Sequence, residues 1–152
     1  MEKVVLERRK NTKYTVNFEN KKYVWAGSKG TMANKKEVPS DLYDYLAMFT
    51  TCLKKGELVL VEKTDEDKER VEQLPDKDEY LANSLSKEKI IEILKSKSIK
   101  VMQTELNKVT ADSTKRFVLE IAKEIKLENA NKRLFIKEWL GSDLSTDELF
   151  TE

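Results

Sequence analysis

The stretch Leu58-Val59-Leu60-Val61-Glu62-Lys63-Thr64-Asp65-Glu66-Asp67-Lys68-Glu69-Arg70 changes character halfway along. Four consecutive apolar residues, the pattern of a strand buried on both faces, give way to a run of charged side chains. From 64 to 79 no apolar period survives, and Pro75 interrupts the run. A segment this polar buries too little to offset its ordering entropy, so residues 64–84 read as a solvated acidic linker. The chain on this reading is α+β. A small β-rich domain with one helix spans 1–63, an all-helical domain spans 85–141, and an acidic tail spans 142–152.

Charge follows the same division. The 152 residues carry 29 Lys and Arg against 28 Asp and Glu, but the near balance conceals an alternation. Residues 1–63 hold 13 basic and 8 acidic side chains, 64–84 hold 3 and 8, 85–140 hold 13 and 8, and the rest only 4 acids. Two basic blocks are separated and ended by acidic segments, as two folded units with a linker and a tail require. A whole-chain charge of +1 favours neither nucleic acid nor an anionic membrane.

Upstream of the linker, Tyr14, Val16 and Phe18 alternate with polar Thr15 and Asn17, the period of a half-buried strand. Glu19-Asn20-Lys21 can turn the chain into Tyr23-Val24-Trp25, which makes a β-hairpin. Residues 26–38 are polar, contain Gly27 and Gly30, and read as a surface loop. Pro39, Ser40 and Asp41 suit a helix start, and Leu42, Tyr45, Leu46, Phe49 and Leu53 follow at helical spacing to a C-cap at Gly56. The spacing predicts a helix over 39–55, followed by Leu58–Val61 as a central strand.

Downstream, Ser86 is an N-cap, with Leu85 and Ile90 placed as a hydrophobic staple. Ile90, Ile91, Ile93 and Leu94 supply its buried face, and residues 99–102 are either extended or helical. Thr110 or Asp112 caps a helix carrying Phe117, Val118, Ile121 and Ile125. Asn129 or Asn131 opens another, which Gly141 ends. The tail retains Leu144, Leu149 and Phe150, side chains that either pack back on their own domain or dock in a partner's groove.

The chemistry-bearing residues are few. The chain contains no histidine, so the usual general base and the usual zinc ligand are missing. Cys52, the single cysteine, lies far from a helix N-terminus and reads as a structural thiol; an intrachain disulfide is excluded and a cytoplasmic origin is expected. Gly27-Ser28-Lys29-Gly30-Thr31 lacks the spacing of a phosphate-binding loop. The acidic run from Asp65 lacks the ligand alternation and central glycine of a calcium loop. No apolar run approaches the ~18 residues that would span a bilayer. We expect no cofactor, no metal and no enzymatic activity.

Contact surfaces remain. Leu144, Leu149, Phe150, Tyr43 and Trp25 are the candidates for touching a protein partner. In a rival reading, Arg8, Arg9, Lys10, Lys13, Lys21 and Lys22 flank strands bearing Tyr14, Phe18, Tyr23 and Trp25, a mixture that can hold a nucleic-acid strand by charge and stacking. Lys87, Lys89, Lys95, Lys97 and Lys100 form a second basic cluster. The alternative to both is a solvated lysine surface over a small aromatic core, and nucleic acid is not favoured.

Lys36-Glu37-Val38-Pro39-Ser40-Asp41-Leu42-Tyr43-Asp44-Tyr45-Leu46, followed by Gly56-Glu57-Leu58-Val59-Leu60-Val61-Glu62, resembles a pattern in small proteins of tailed phages and prophages. The YqbF-like proteins of Bacillus prophages and their Mu-type counterparts share this layout, an SH3-like N-terminal part and a helical C-terminal module. The likeness spans residues 13–100 in order of elements, and the longer helix and the helices beyond 110 depart from it. The family carries no catalytic residues. What the resemblance implies is a structural or assembly protein of the head or head–tail junction, in contact with capsid, portal or connector proteins. Such a protein works in a symmetric assembly, is put together in the bacterial cytoplasm and resides in the virion.

Overall fold

Val4 and Leu6 alternate with more exposed neighbours along β1 (Lys3–Arg8), and both are sealed in the core. The computed structural model describes residues 2–29 and 33–151. After β1 come the hairpin strands β2 (Tyr14–Phe18) and β3 (Lys21–Trp25), then β4 (Asn34–Pro39), α1 (Ser40–Phe49) and β5 (Val59–Leu60). The strands form two antiparallel sheets, β4-β1-β5 and β2-β3. Glu19 and Asn20, both at positive φ, close the hairpin, so Tyr14 pairs with Trp25 and Phe18 with Lys21. Two such residues in a row match the right-handed twist of the strands they join.

Three expectations are corrected here. Residues 34–39 are not loop but a strand paired along the whole of β1, from Lys3↔Pro39 to Arg8↔Asn34. Their polarity is that of an edge strand, where Lys35 and Glu37 face solvent and only Val38 is buried. β1 is therefore the central strand, and β5 is an edge. The outer edge of β5 is occupied, since the Leu60 N–H donates to the Tyr80 hydroxyl at 3.0 Å. The helix predicted over 39–55 stops at Phe49. Thr50 Oγ1 donates back to the Leu46 carbonyl and accepts from the Cys52 N–H, which turns the chain out of the helix.

The acidic linker is likewise corrected. Residues 65–72 form α2 (Asp65–Glu72) and 77–83 form α3 (Lys77–Asn83). Thr64 and Asp67 make a reciprocal capping box, and three acids in the first turn complement the helix dipole. Val71, Leu74 and Tyr80 then pack into the same core as Trp25, Leu42 and Leu58. Three apolar side chains among many charges suffice to anchor the segment because the sheet offers them a surface.

The second half is helical, as the sequence predicts: α4 (Lys87–Leu94), α5 (Ile99–Leu106), α6 (Asp112–Glu124), α7 (Ala130–Leu140) and a short α8 (Thr146–Leu149). Ser86 caps α4, Ser98 resolves the ambiguous stretch as α5, and Asn129 caps α7, which Gly141 ends in the left-handed conformation. Ile90, Leu94, Met102, Leu106, Val118 and Ile136 fill its core.

The halves meet through polar groups. Lys10 Nζ reaches Ser113 Oγ at 2.9 Å, and Glu57 Oε1 accepts from the same hydroxyl at 2.8 Å. The Asn83 side chain donates to the Lys54 carbonyl and to Thr110 Oγ1, and accepts from the N–H groups of Thr110 and Ala111. Gly56, at φ 67°, passes so close to the Asn83 carbonyl that a Cβ there would overlap it.

Candidate protein-contact surface

Most of the residues expected to touch a partner lie inside the molecule. Trp25 is fully buried and donates from Nε1 to the Leu6 carbonyl at 3.0 Å. Tyr43 is buried with its hydroxyl on the Arg70 carbonyl. Leu149 and Phe150 close the second core, and the Arg133 guanidinium sits 5.0 Å from the Phe150 ring. The tail packs back on its own domain, because Leu149 at the end of α8 and Phe150 just after it lie on the helices before them. Of the five, only Leu144 is substantially exposed.

The basic set is divided too. Arg8 is buried, donating to Thr12 and to the Glu57 carbonyl, with its guanidinium 5.1 Å from the Tyr14 ring. Lys10 is buried, with donors on the Lys55 carbonyl, Glu57 and Ser113. Burial pushes the Lys10 amine below the ordinary lysine range, against the pull of Glu57. Burial would raise the Glu57 carboxyl, but Lys10, Ser113 and Arg8 together hold it below its ordinary value. Arg9 pairs with Glu7 at 2.7 Å and donates to the Ser84 carbonyl. Lys13, Lys21 and Lys22 remain at the surface. Trp25 and Tyr23 face the core, so half the cations and the largest aromatic are withdrawn from any nucleic-acid platform. In the second basic cluster Lys87 is tied to Glu124 at 2.7 Å, and Lys89 lies 3.6 Å from Glu92.

Cys52 and the described part of the 27–31 loop are engaged in packing and backbone contacts. Cys52 is buried and its pKa is pushed up to about 11 by that burial, although the Tyr14 hydroxyl pulls the other way. A thiol in that state is neutral at pH 7 and a poor nucleophile. Gly27 packs directly on the Asn11 carbonyl, and Ser28 bonds the backbone of Arg9 and Lys10. Gly30 and Thr31, the other half of the loop, lie outside the described residues. No group of three or more metal-ligating side chains gathers among the described residues, and no helix there is long and apolar enough to cross a membrane. A groove of about 660 Å³ runs past Leu81, Ala82 and Leu85, rimmed by both acids and lysines.

What the sequence reading missed is the outer face of α1. Leu42, Tyr43 and Leu46 face the core, Asp41, Asp44 and Met48 point outward, and Tyr45 and Phe49 lie at the margin of the buried side yet are exposed. Phe49 is 75% exposed and Met48 72%. The Tyr45 ring lies 5.2 Å from Phe18 at the end of β2 and 6.1 Å from Phe49, so three rings form one strip across helix and hairpin, and the exposed Met48 precedes Phe49 in the chain. Scattered apolar residues on a surface are ordinary, whereas a contiguous aromatic strip makes this side of α1 the candidate contact surface. Helical spacing alone could not place it, since Tyr45 and Phe49 continue the periodicity of the buried side. The available signal was that 42–49 holds more large apolar residues than one helix face can bury.

Comparison with known proteins adds two findings. The family model "YonA N-terminal domain" matches residues 2–76, and "YonA C-terminal domain" matches residues 86–146. The first match ends within the α2–α3 segment and the second begins at the cap of α4. Neither model is of the YqbF-like proteins, and what the two readings have in common is a two-part layout. No curated protein and no solved structure matches.

Proposed function

Starting from the premise that the chain belongs to the YonA family, a phage-type family of two-domain layout, we propose that it is a structural or assembly protein of a tailed bacteriophage particle. It acts in the head or head–tail junction region through protein–protein contacts and carries out no catalysis. The observation that carries this reading is the exposed Tyr45, Met48 and Phe49 on α1, with the half-buried Phe18 ring beside Tyr45. Aromatic and methionine side chains are the ones that enrich protein interfaces, because they bury much area at little rotamer cost. The partners are capsid, portal or connector proteins, whose symmetric arrays repeat one contact many times and so make a modest surface effective.

The test is incorporation. Phe49→Asp places a charge at the most exposed end of the strip while changing the stability of the chain by no more than about 0.5 kcal/mol, as is usual for an exposed site. Particles assembled with this variant should lack the protein, while circular dichroism shows an unchanged fold. Incorporation at the wild-type level would overturn the proposal. A nucleic-acid role draws on Lys13, Lys21 and Lys22 alone, and DNA binding that weakens steeply with salt would favour it instead.

A further inference from the structure

We propose that Glu57 is an acid-operated latch between the two lobes: ionised, it holds the start of α6 against the first lobe, and once neutral it lets the second lobe swing about residues 84–86. The two hydrophobic cores share no residue, and the chain crosses between them at 84–86, outside any helix. Among the described residues, the hydrogen bonds between the lobes converge on 110–114, where α6 begins. The N-cap of α6 is Ala111, which has no side chain that can cap. Acceptors from the first lobe take that place. Asn83 Oδ1 accepts from the N–H groups of Thr110 and Ala111, and the Asn83 carbonyl accepts from Thr114 Oγ1 at 3.1 Å. The Glu57 carboxylate accepts from Ser113 Oγ one turn into the helix, where a negative charge also meets the positive pole of the helix dipole.

Charge makes Glu57 decisive among these groups. Arg8 and Lys10 are buried, and both pair with Glu57, at 3.5 and 3.0 Å. Tyr14 from β2 and Cys52 from the turn after α1 also face the carboxylate, and burial keeps the phenol and the thiol neutral. A cavity of about 420 Å³ opens beside Lys10 and Ser113, with Arg116 and Glu120 of α6 exposed on its wall. Among the described residues, neither Glu120 nor the exposed Asp112 forms an ion pair with either buried cation. Protonating Glu57 therefore leaves two buried cations and the positive end of a helix facing one another without a counter-charge. A buried cation that loses its partner costs far more than one hydrogen bond contributes, and water reaches Lys10 once α6 moves away. The bonds of Asn83 and Thr114 oppose the swing only weakly, because each is exchanged for a bond to water. Burial alone favours the neutral acid, but Lys10, Ser113 and Arg8 keep Glu57 ionised below its ordinary value of 4.5. The latch is thus shut at pH 7 and released as pH falls through the lowered value.

Small-angle scattering of the full chain reads the swing, and circular dichroism reads whether the lobes stay folded. Wild type at pH 7 should have the radius of gyration of a compact chain of its length, about 15 Å. Glu57→Gln should raise that radius by at least about a tenth at pH 7 with the helical signal kept, because two parted lobes span more than one compact body. Lys10→Met combined with Glu57→Gln should return the radius to the wild-type value, since the cation nearest the carboxylate is then gone, although further hydrogen bonds are lost with it. An unchanged radius in Glu57→Gln overturns the proposal, and so does a double variant as open as the single one. If Glu57→Gln loses its helical signal instead, wild type decides through pH. Its radius must rise on acidification before the circular dichroism changes, and a simultaneous change of the two overturns the latch.

Discussion

Glu57 accepts from Lys10 Nζ at 3.0 Å and from Ser113 Oγ at 2.8 Å, and Arg8 lies 3.5 Å away. Its carboxyl ionises more readily here than in the unfolded chain, because these groups outweigh the cost of burial. A lowered folded pKa stabilises the native state fully above the unfolded value of about 4.5, and that stabilisation drains away as pH falls through the folded value. Glu57→Gln should therefore be less stable than wild type at pH 7, and the gap in urea midpoint should narrow as both are taken towards pH 3. A gap independent of pH would show that the charge on Glu57 is immaterial. None of this was visible in the sequence. Glu57, Lys10 and Ser113 are far apart in the chain and of ordinary residue types, and only the junction of the two halves brings them together. The same junction takes Arg8 and Lys10 out of the basic set, because a run of cations carries no sign of which will find carbonyls to bond.

Elements were legible where local signals agree with packing. The hairpin turn at Glu19-Asn20, the Ser86 cap of α4 and the Asn129 and Gly141 ends of α7 all combine a periodic apolar face with the right residue at its boundary. They failed where tertiary contacts decide. α2 and β4 are polar elements whose few apolar side chains are sufficient only because a ready-made core receives them. α8 shows the energetic side of this. It is four residues long, too short to be stable alone, yet Leu149 and Phe150 are about 90% buried. Full burial of such side chains contributes about 1.5–3 kcal/mol each. Deleting 142–152 should cost about 3–6 kcal/mol and lower the melting temperature accordingly. A deletion variant as stable as the full chain would show that the tail does not belong to the second core.

At the scale of the whole molecule, two cores are joined by polar contacts, and Asn83 is central among them. It is 1% exposed and both polar atoms of its amide are engaged twice, by groups on either side of the junction. Wild type should melt in one transition, with calorimetric and van't Hoff enthalpies equal. Asn83→Ala leaves the Lys54 carbonyl and two N–H groups without their partner, at about 1–3 kcal/mol for each that stays buried. It should separate the melt into two steps. A single sharp transition in the variant would locate the coupling elsewhere.

The Asn83 clasp also bears on what the molecule can do mechanically. A hinged pair of lobes is a tether, which limits how far apart two neighbours drift but not how they are angled. Lobes clamped at Asn83 and at Lys10–Glu57–Ser113 act as a bracket. A partner on the α1 face would thereby be held at a set distance and orientation from one against the helical lobe, and a push on one would be felt by the other without slack.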